Sequence, residues 1–146
     1  MKNEIIQILT GFLGSVGFGV LFNIRGKRLL MASLGGLFSW GLFVILSEVI
    51  ESEAVNYFIV ALLISLYAEG MARWLKTPTT VFITTSLIPL IPGGSLYYTM
   101  VYAFKSDAVN FIEKGIATLI LASALALGII VAATLTKLFI RQKSKN

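Results

Sequence analysis

The feature that most constrains this chain is where its charges are. Five uncharged runs, 5–22, 29–47, 54–68, 77–104 and 115–136, are separated by short islands that hold nearly every ionisable side chain. A helix that crosses a bilayer needs roughly 20 mainly apolar residues, and four of the runs approach or exceed that length unaided. The third does so only if residues 69–72 continue the helix. Glu69 and Arg73 stand four apart there, the spacing at which an ion pair forms on one helix face. Charged residues make up 13% of the chain, against about 25% in soluble domains. No island is long enough for a soluble domain. The expectation is an all-α integral membrane protein of the cell membrane, multi-pass. It forms a single domain over 1–146, with five transmembrane helices at about 4–22, 29–47, 54–72, 77–104 and 115–138. The first run, with only Lys2 and Glu4 as flanking charges and no clear cleavage site, is read as a retained helix and not a signal peptide.

Missing residue types narrow the function. The chain has no cysteine and no histidine. That excludes disulfides, thiolate metal sites, Cys or His nucleophiles and imidazole acid–base chemistry. With no acidic pair inside any run, the expectation is no enzyme activity, no cofactor and no metal. The net charge of +5 is read as topology and not as a nucleic-acid surface. Basic residues cluster after the first run (Arg25, Lys27, Arg28), after the third (Arg73, Lys76) and in the tail (Lys137, Arg141, Lys143, Lys145). An acidic island with Glu48, Glu51 and Glu53 follows the second. Five crossings with the N-terminus out and the C-terminus in put nine of the twelve basic residues in the cytoplasm. The alternative, a re-entrant hairpin over 77–104, would leave the basic tail outside.

That fourth run is interrupted by Pro89, Pro92, Gly93 and Gly94. Proline removes a backbone donor and clashes with the preceding turn, and glycine costs helical entropy. In hydrocarbon such a break survives only where protein or a water-filled cavity satisfies the freed backbone. The run is centred near Leu90 and Ile91, so counting residues puts the break close to the bilayer midplane. The first half-helix is expected to end near Pro89 and the second to start around Gly93–Ser95. The free amides and positive dipole end of the second half suit a carboxylate. Broken helices of this kind hold substrates in secondary transporters. Hydroxyls accompany both halves: Thr80 and Thr84 on the first, and Ser95, Tyr98, Thr99 and Tyr102 at helical spacing on the second. The substrate-binding candidates are therefore Gly93, Gly94, Ser95, Thr84, Tyr98 and Thr99, with Pro89 and Pro92 holding the break. Their plain alternative is a kink whose hydroxyls bond to their own helices.

Three further features have two readings each. Gly11, Ser15 and Gly19 recur every four residues in the first run, and Ala124, Gly128, Ala132 and Thr136 in the last. Such ridges let helices approach closely in lipid, either as static packing or as a sliding interface. Glu69 is the acidic residue nearest the hydrocarbon, so it is a candidate for proton coupling, with a structural ion pair to Arg73 as the alternative. Asn23 reads as a polar cap on the first helix.

Two stretches resemble a known family. The segment Gly17-Phe18-Gly19-Val20-Leu21-Phe22-Asn23, followed by a basic turn, is similar to the end of the first helix of the threonine/serine exporter family. Closer still are Lys76-Thr77-Pro78-Thr79-Thr80-Val81-Phe82 and the run from Ile88 through Pro89, Pro92, Gly93, Gly94, Ser95, Tyr98 and Thr99 to Met100. The likeness covers nearly the whole chain and matches the small-subunit type, equivalent to the C-terminal membrane half of longer single-chain members. The resemblance implies export of threonine, serine or related small carboxylates, driven by the proton gradient. It also implies a larger polytopic membrane subunit as partner, which would house any function of the hydrophilic region of long members. Some two-part members are associated with dicarboxylates, so a succinate-type substrate is the alternative. The residues alone leave room for a non-transporting accessory subunit or a homo-oligomer.

Overall fold

The computed structural model describes residues 2–143. It is all-helical among those residues: α1 Lys2–Leu21, α2 Lys27–Ser47, α3 Glu53–Trp74, α4 Thr79–Leu87, a 3₁₀ turn Ile88–Leu90, α5 Gly93–Phe104 and α6 Ala108–Lys143. Four spans are long and apolar enough to cross a membrane: Asn3–Leu21, Lys27–Ser47, Glu53–Trp74 and Ala108–Phe139. The pair Thr79–Leu90 and Gly93–Phe104 makes a fifth if taken as one span bent by 60°. The chain is thus a multi-pass membrane protein with four or five candidate crossings.

Helix ends follow local chemistry. Asn23, Lys76 and Ser106 adopt positive φ (57°, 47° and 55°) just past α1, α3 and α5. At each end the next amide reaches back to close the last turn: Ile24 N–H to Gly19 O, Thr77 N–H to Ala72 O and Asp107 N–H to Tyr102 O, at 2.9, 2.9 and 3.0 Å. These are Schellman caps built without glycine. The polar cap expected at Asn23 is one of them. Pro78 then fixes the start of α4.

The last helix begins earlier than the charge map suggests, at Ala108 and not near 115. Asp107 is the reason. Its carboxylate accepts the Asn110 N–H at 3.2 Å and the Asn110 side-chain amide at 2.7 Å, satisfying an orphan donor of the first turn. These bonds, aided by Lys105, hold its pKa below the ordinary carboxylate value. Glu113 and Lys114 therefore lie inside a helix. Their charges mark where the apolar surface starts, not where the helix does.

The core lies between α2, α3 and α4, with α1 packed on α2 and α6 packed on α3. Phe82 of α4 is fully buried against Ala32, Ala68 and Ala72. Leu87 and Leu90 meet Tyr57, Val60 and Ile64 of α3 and Leu121 of α6. Lipid is as apolar as these side chains, so close van der Waals fit and interhelical hydrogen bonds hold the bundle. Both ridges take part. Ser15 and Gly19 are buried in α1, as are Gly128, Ala132 and Thr136 in α6. A Cβ on Gly36 would overlap Ser15 Oγ, and one on Gly128 would come within 2.6 Å of Phe58 O and 2.8 Å of Ala61 Cβ. Interhelical hydrogen bonds add to this: Ser86 Oγ to Ala32 O (3.1 Å), Tyr67 Oη to Met31 O (2.8 Å) and Asn56 Nδ2 to Phe43 O (3.0 Å).

Candidate functional site

The break forms as its prolines require. Pro89 sits at the start of the 3₁₀ turn, whose closing bond runs from Ile91 N–H to Ile88 O at 3.2 Å. Ile91 is extended, and Pro92 serves as the N-cap residue of α5, offering no side-chain cap. Gly93 N–H turns back to Ile91 O (2.6 Å) and Leu96 N–H bonds Pro92 O (3.0 Å), whereas the N–H groups of Gly94 and Ser95 make no backbone hydrogen bond among the described residues. The positive end of a helix dipole is thus open at Gly94 and Ser95.

Gly93 and Gly94 are exposed, and a Cβ added to either meets nothing within 4 Å. Neither has a positive φ. Neither conformation nor internal packing within this chain therefore calls for glycine at these two positions.

The hydroxyls divide into separate groups. Ser95 Oγ lies 2.8 Å from Thr118 Oγ1 of α6, and Thr99 Oγ1 donates to Ser95 O at 2.9 Å while standing 3.3 Å from Thr118 Oγ1. Thr118 in turn donates to Lys114 O at 2.7 Å. Ser95, Thr99 and Thr118 thus form one cluster between α5 and α6. Tyr98 faces outward, edge-on to Tyr97 with ring centres 5.4 Å apart. Tyr102 lines a different cavity with Asp107 and Phe111. Thr84 is on the other side of the bend. It donates to Thr80 O (2.7 Å) and faces a groove shared with Phe22 and Val81. Glu69 accepts from Arg73 Nη2 at 3.3 Å, its side chain 21% exposed. Thr118 was missed by sequence reasoning, since it carries no spacing signal and becomes visible only once α5 folds back on α6.

Packing register shifts the break away from the centre that residue counting gives. α6 lies alongside α3 with Gly128 opposite Phe58 and Ala61. Ala61 is about 12 Å into α3 from Glu53, and Thr118 is about 15 Å before Gly128 on α6. Ala54 borders the same groove as Ile120 and Ala124, so the two helices run in the same direction. Thr118, and Ser95 bonded to it, therefore lie close to the start of α3 and not beside its middle.

Buried polar groups elsewhere also escaped the sequence reading. Ser33, Ser39 and Ser65 are buried on α2 and α3 with no hydrogen-bond partner for Oγ among the described residues. They face neighbouring helices, where a small side chain fits.

Residues 7–135 match the family model described as Threonine/Serine exporter, ThrE. No solved structure matches the chain.

Proposed function

The chain belongs to the threonine/serine exporter family, a family of transporters and not of enzymes, and on that premise we propose that it is a membrane subunit of a secondary exporter for threonine, serine or related small carboxylates. In this reading residues 1–146 form one domain that crosses five times, the bent pair serving as the fourth crossing. The N-terminus is outside and the basic tail inside, as the placement of Lys and Arg favours. A larger membrane subunit completes the transport path, and the proton gradient drives it.

The supporting observation is the Gly93–Gly94 pair, where an added Cβ would meet nothing within 4 Å and the N–H groups of Gly94 and Ser95 have no backbone acceptor among the described residues. Open amides at a helix N-terminus suit a polar partner from outside the chain, and a carboxylate is the partner such an end binds best. Gly93, Gly94 and Ser95 would hold it by backbone donors. Thr99 and Tyr98 would border the path, Pro89 and Pro92 would keep the helix open, and Glu69 would carry the coupled proton. Thr84, in the groove beyond the bend, is left out of this contact set. A succinate-type dicarboxylate is the alternative substrate, since one helix end serves any carboxylate. A purely accessory role acting through the small-residue ridges is less well supported, because Ser15 and Gly128 are taken up by packing inside the chain.

Threonine and succinate efflux from cells expressing this chain, the presumed partner, or both, tests the reading. Export should require both chains, and Gly94→Leu should abolish it while leaving the assembled pair intact. Full export from the partner alone, or from a pair carrying Gly94→Leu, would sink the proposal.

A further inference from the structure

We propose that the cleft between the end of α1 and the start of α4 binds an anionic phospholipid, with its phosphate on Arg25 and Arg28 and an acyl chain along Phe22 and Val81. Two adjoining cavities of about 390 and 270 Å³ share those two apolar residues and Ile24. The larger one is bordered by both guanidinium groups, and the smaller continues past Thr80 to Thr84.

The cationic end is prepared for an anion. Arg25 Nε donates to Asn23 Oδ1 at 3.0 Å, and Asn23 is itself fixed in the α1 cap. That bond positions the guanidinium and leaves its Nη groups without an acceptor among the described residues. Arg28 makes no ion pair among the described residues. Two guanidinium groups beside one cavity suit phosphate, whose oxygens accept paired N–H donors. Lys27, the first residue of α2, lies between the two arginines in sequence but does not border the cavity, so charge in this stretch alone does not define the site.

The other end suits hydrocarbon. Phe22, Ile24 and Val81 border the smaller cavity with two threonines, of which Thr84 donates its Oγ1 to Thr80 O (2.7 Å), so the Thr80 hydroxyl is the polar group left there. The wall beyond the guanidinium groups offers little to a polar solute. From Thr80 to Thr84 it runs about 6 Å along α4. Charge at the boundary with an apolar furrow leading inward is the layout of a lipid standing in one leaflet. A free phosphate would use the cationic end alone.

The test is a titration of the full-length protein in dodecyl maltoside, read by native mass spectrometry, with dioleoylphosphatidylglycerol, dioleoylphosphatidylcholine and inorganic phosphate. Phosphatidylglycerol should bind about tenfold more tightly than phosphatidylcholine. Arg28→Gln should weaken it about fivefold, and Arg25→Gln with Arg28→Gln about thirtyfold. Lys27→Gln, an equal change in charge, should shift it less than about twofold. Thr80→Trp keeps both arginines at an exposed position but fills the furrow, and should weaken the lipid without affecting inorganic phosphate. Should the double variant not fold, Arg28→Gln against Lys27→Gln carries the same comparison. Equal affinity for the two lipids, equal loss in Arg28→Gln and Lys27→Gln, or inorganic phosphate competing as well as the lipid would each overturn the proposal.

Discussion

Two Gly-Gly pairs occur in apolar helices of this chain, and their surroundings are opposite. Gly35 and Gly36 of α2 are squeezed from two sides. Ser86 of α4 lies against Gly35 and Ser15 of α1 against Gly36, each so close that a Cβ would overlap the serine hydroxyl. At Gly93 and Gly94 of α5 an added Cβ would meet nothing within 4 Å. The first pair lets three helices share one waist, where dispersion and the Ser86 to Ala32 hydrogen bond act at short range. The second pair gives no such return inside the chain. The same dipeptide thus serves packing in one helix and leaves backbone open in another, and what decides is the neighbour across the gap.

Changing either pair tests that contrast. The largest effect is expected at Gly36. Leucine there cannot be accommodated without displacing α1, and loss of folded protein in detergent, seen by size-exclusion chromatography and thermal melting, is the expected result. Gly36→Ala alone should destabilise by roughly 1–3 kcal/mol, and adding Ser15→Gly should recover most of it if the overlap with Ser15 is the cause. No recovery in the double variant would show that the glycine is needed for another reason. Gly94→Leu is expected to sit at the other extreme, with melting changed by no more than about 0.5 kcal/mol, and its effect confined to export. A melting loss comparable to that of Gly36→Ala would erase the distinction between the pairs.

Smaller effects should come from the hydroxyl cluster and the α6 cap. Thr118→Val keeps shape but removes the shared partner of Ser95 and Thr99. A stability loss of about 1 kcal/mol, with faster amide exchange in α5 than in α3, is the expected outcome. Asp107 should give the smallest signal. Its carboxyl titrates below the ordinary value of 3.8, so its support for the start of α6 is present at neutral pH and fades as pH falls through its folded pKa. Asp107→Asn should flatten the acid limb of a melting-versus-pH curve. An unchanged limb would show that the cap contributes nothing to stability.

How much of this was legible in the sequence depended on whether one segment or two were involved. The break at Pro89 and Pro92, the Asn23 cap and the ridges through Ser15 and Gly128 follow from local chemistry or from periodicity within one helix. Features that need a second helix stayed hidden. Ser33, Ser39 and Ser65 look neutral on a hydropathy scale, and only the helix packed against them shows that they are buried. Thr84 and Ser95 were grouped as hydroxyls on the two halves of one segment, but a 60° bend sends the two halves to different neighbours. Counting residues also assumes a straight segment, whereas the register of α6 on α3 sets Ser95 level with the start of α3.

The length of α6 ties the protein to the thickness of its bilayer. From Gly115 to Phe139 the helix rises about 36 Å, while a hydrocarbon layer is about 30 Å deep. Matching the two needs a tilt of about 34°, in the upper part of the range found for membrane helices. α6 is packed on α3 through Gly128 and on α5 through Thr118, so a change in its lean is felt at the open end of α5. A thicker membrane would stand α6 more upright and a thinner one would lay it flatter. Acyl-chain length thereby becomes a physical control on the spacing between α3 and the Gly93–Gly94 end.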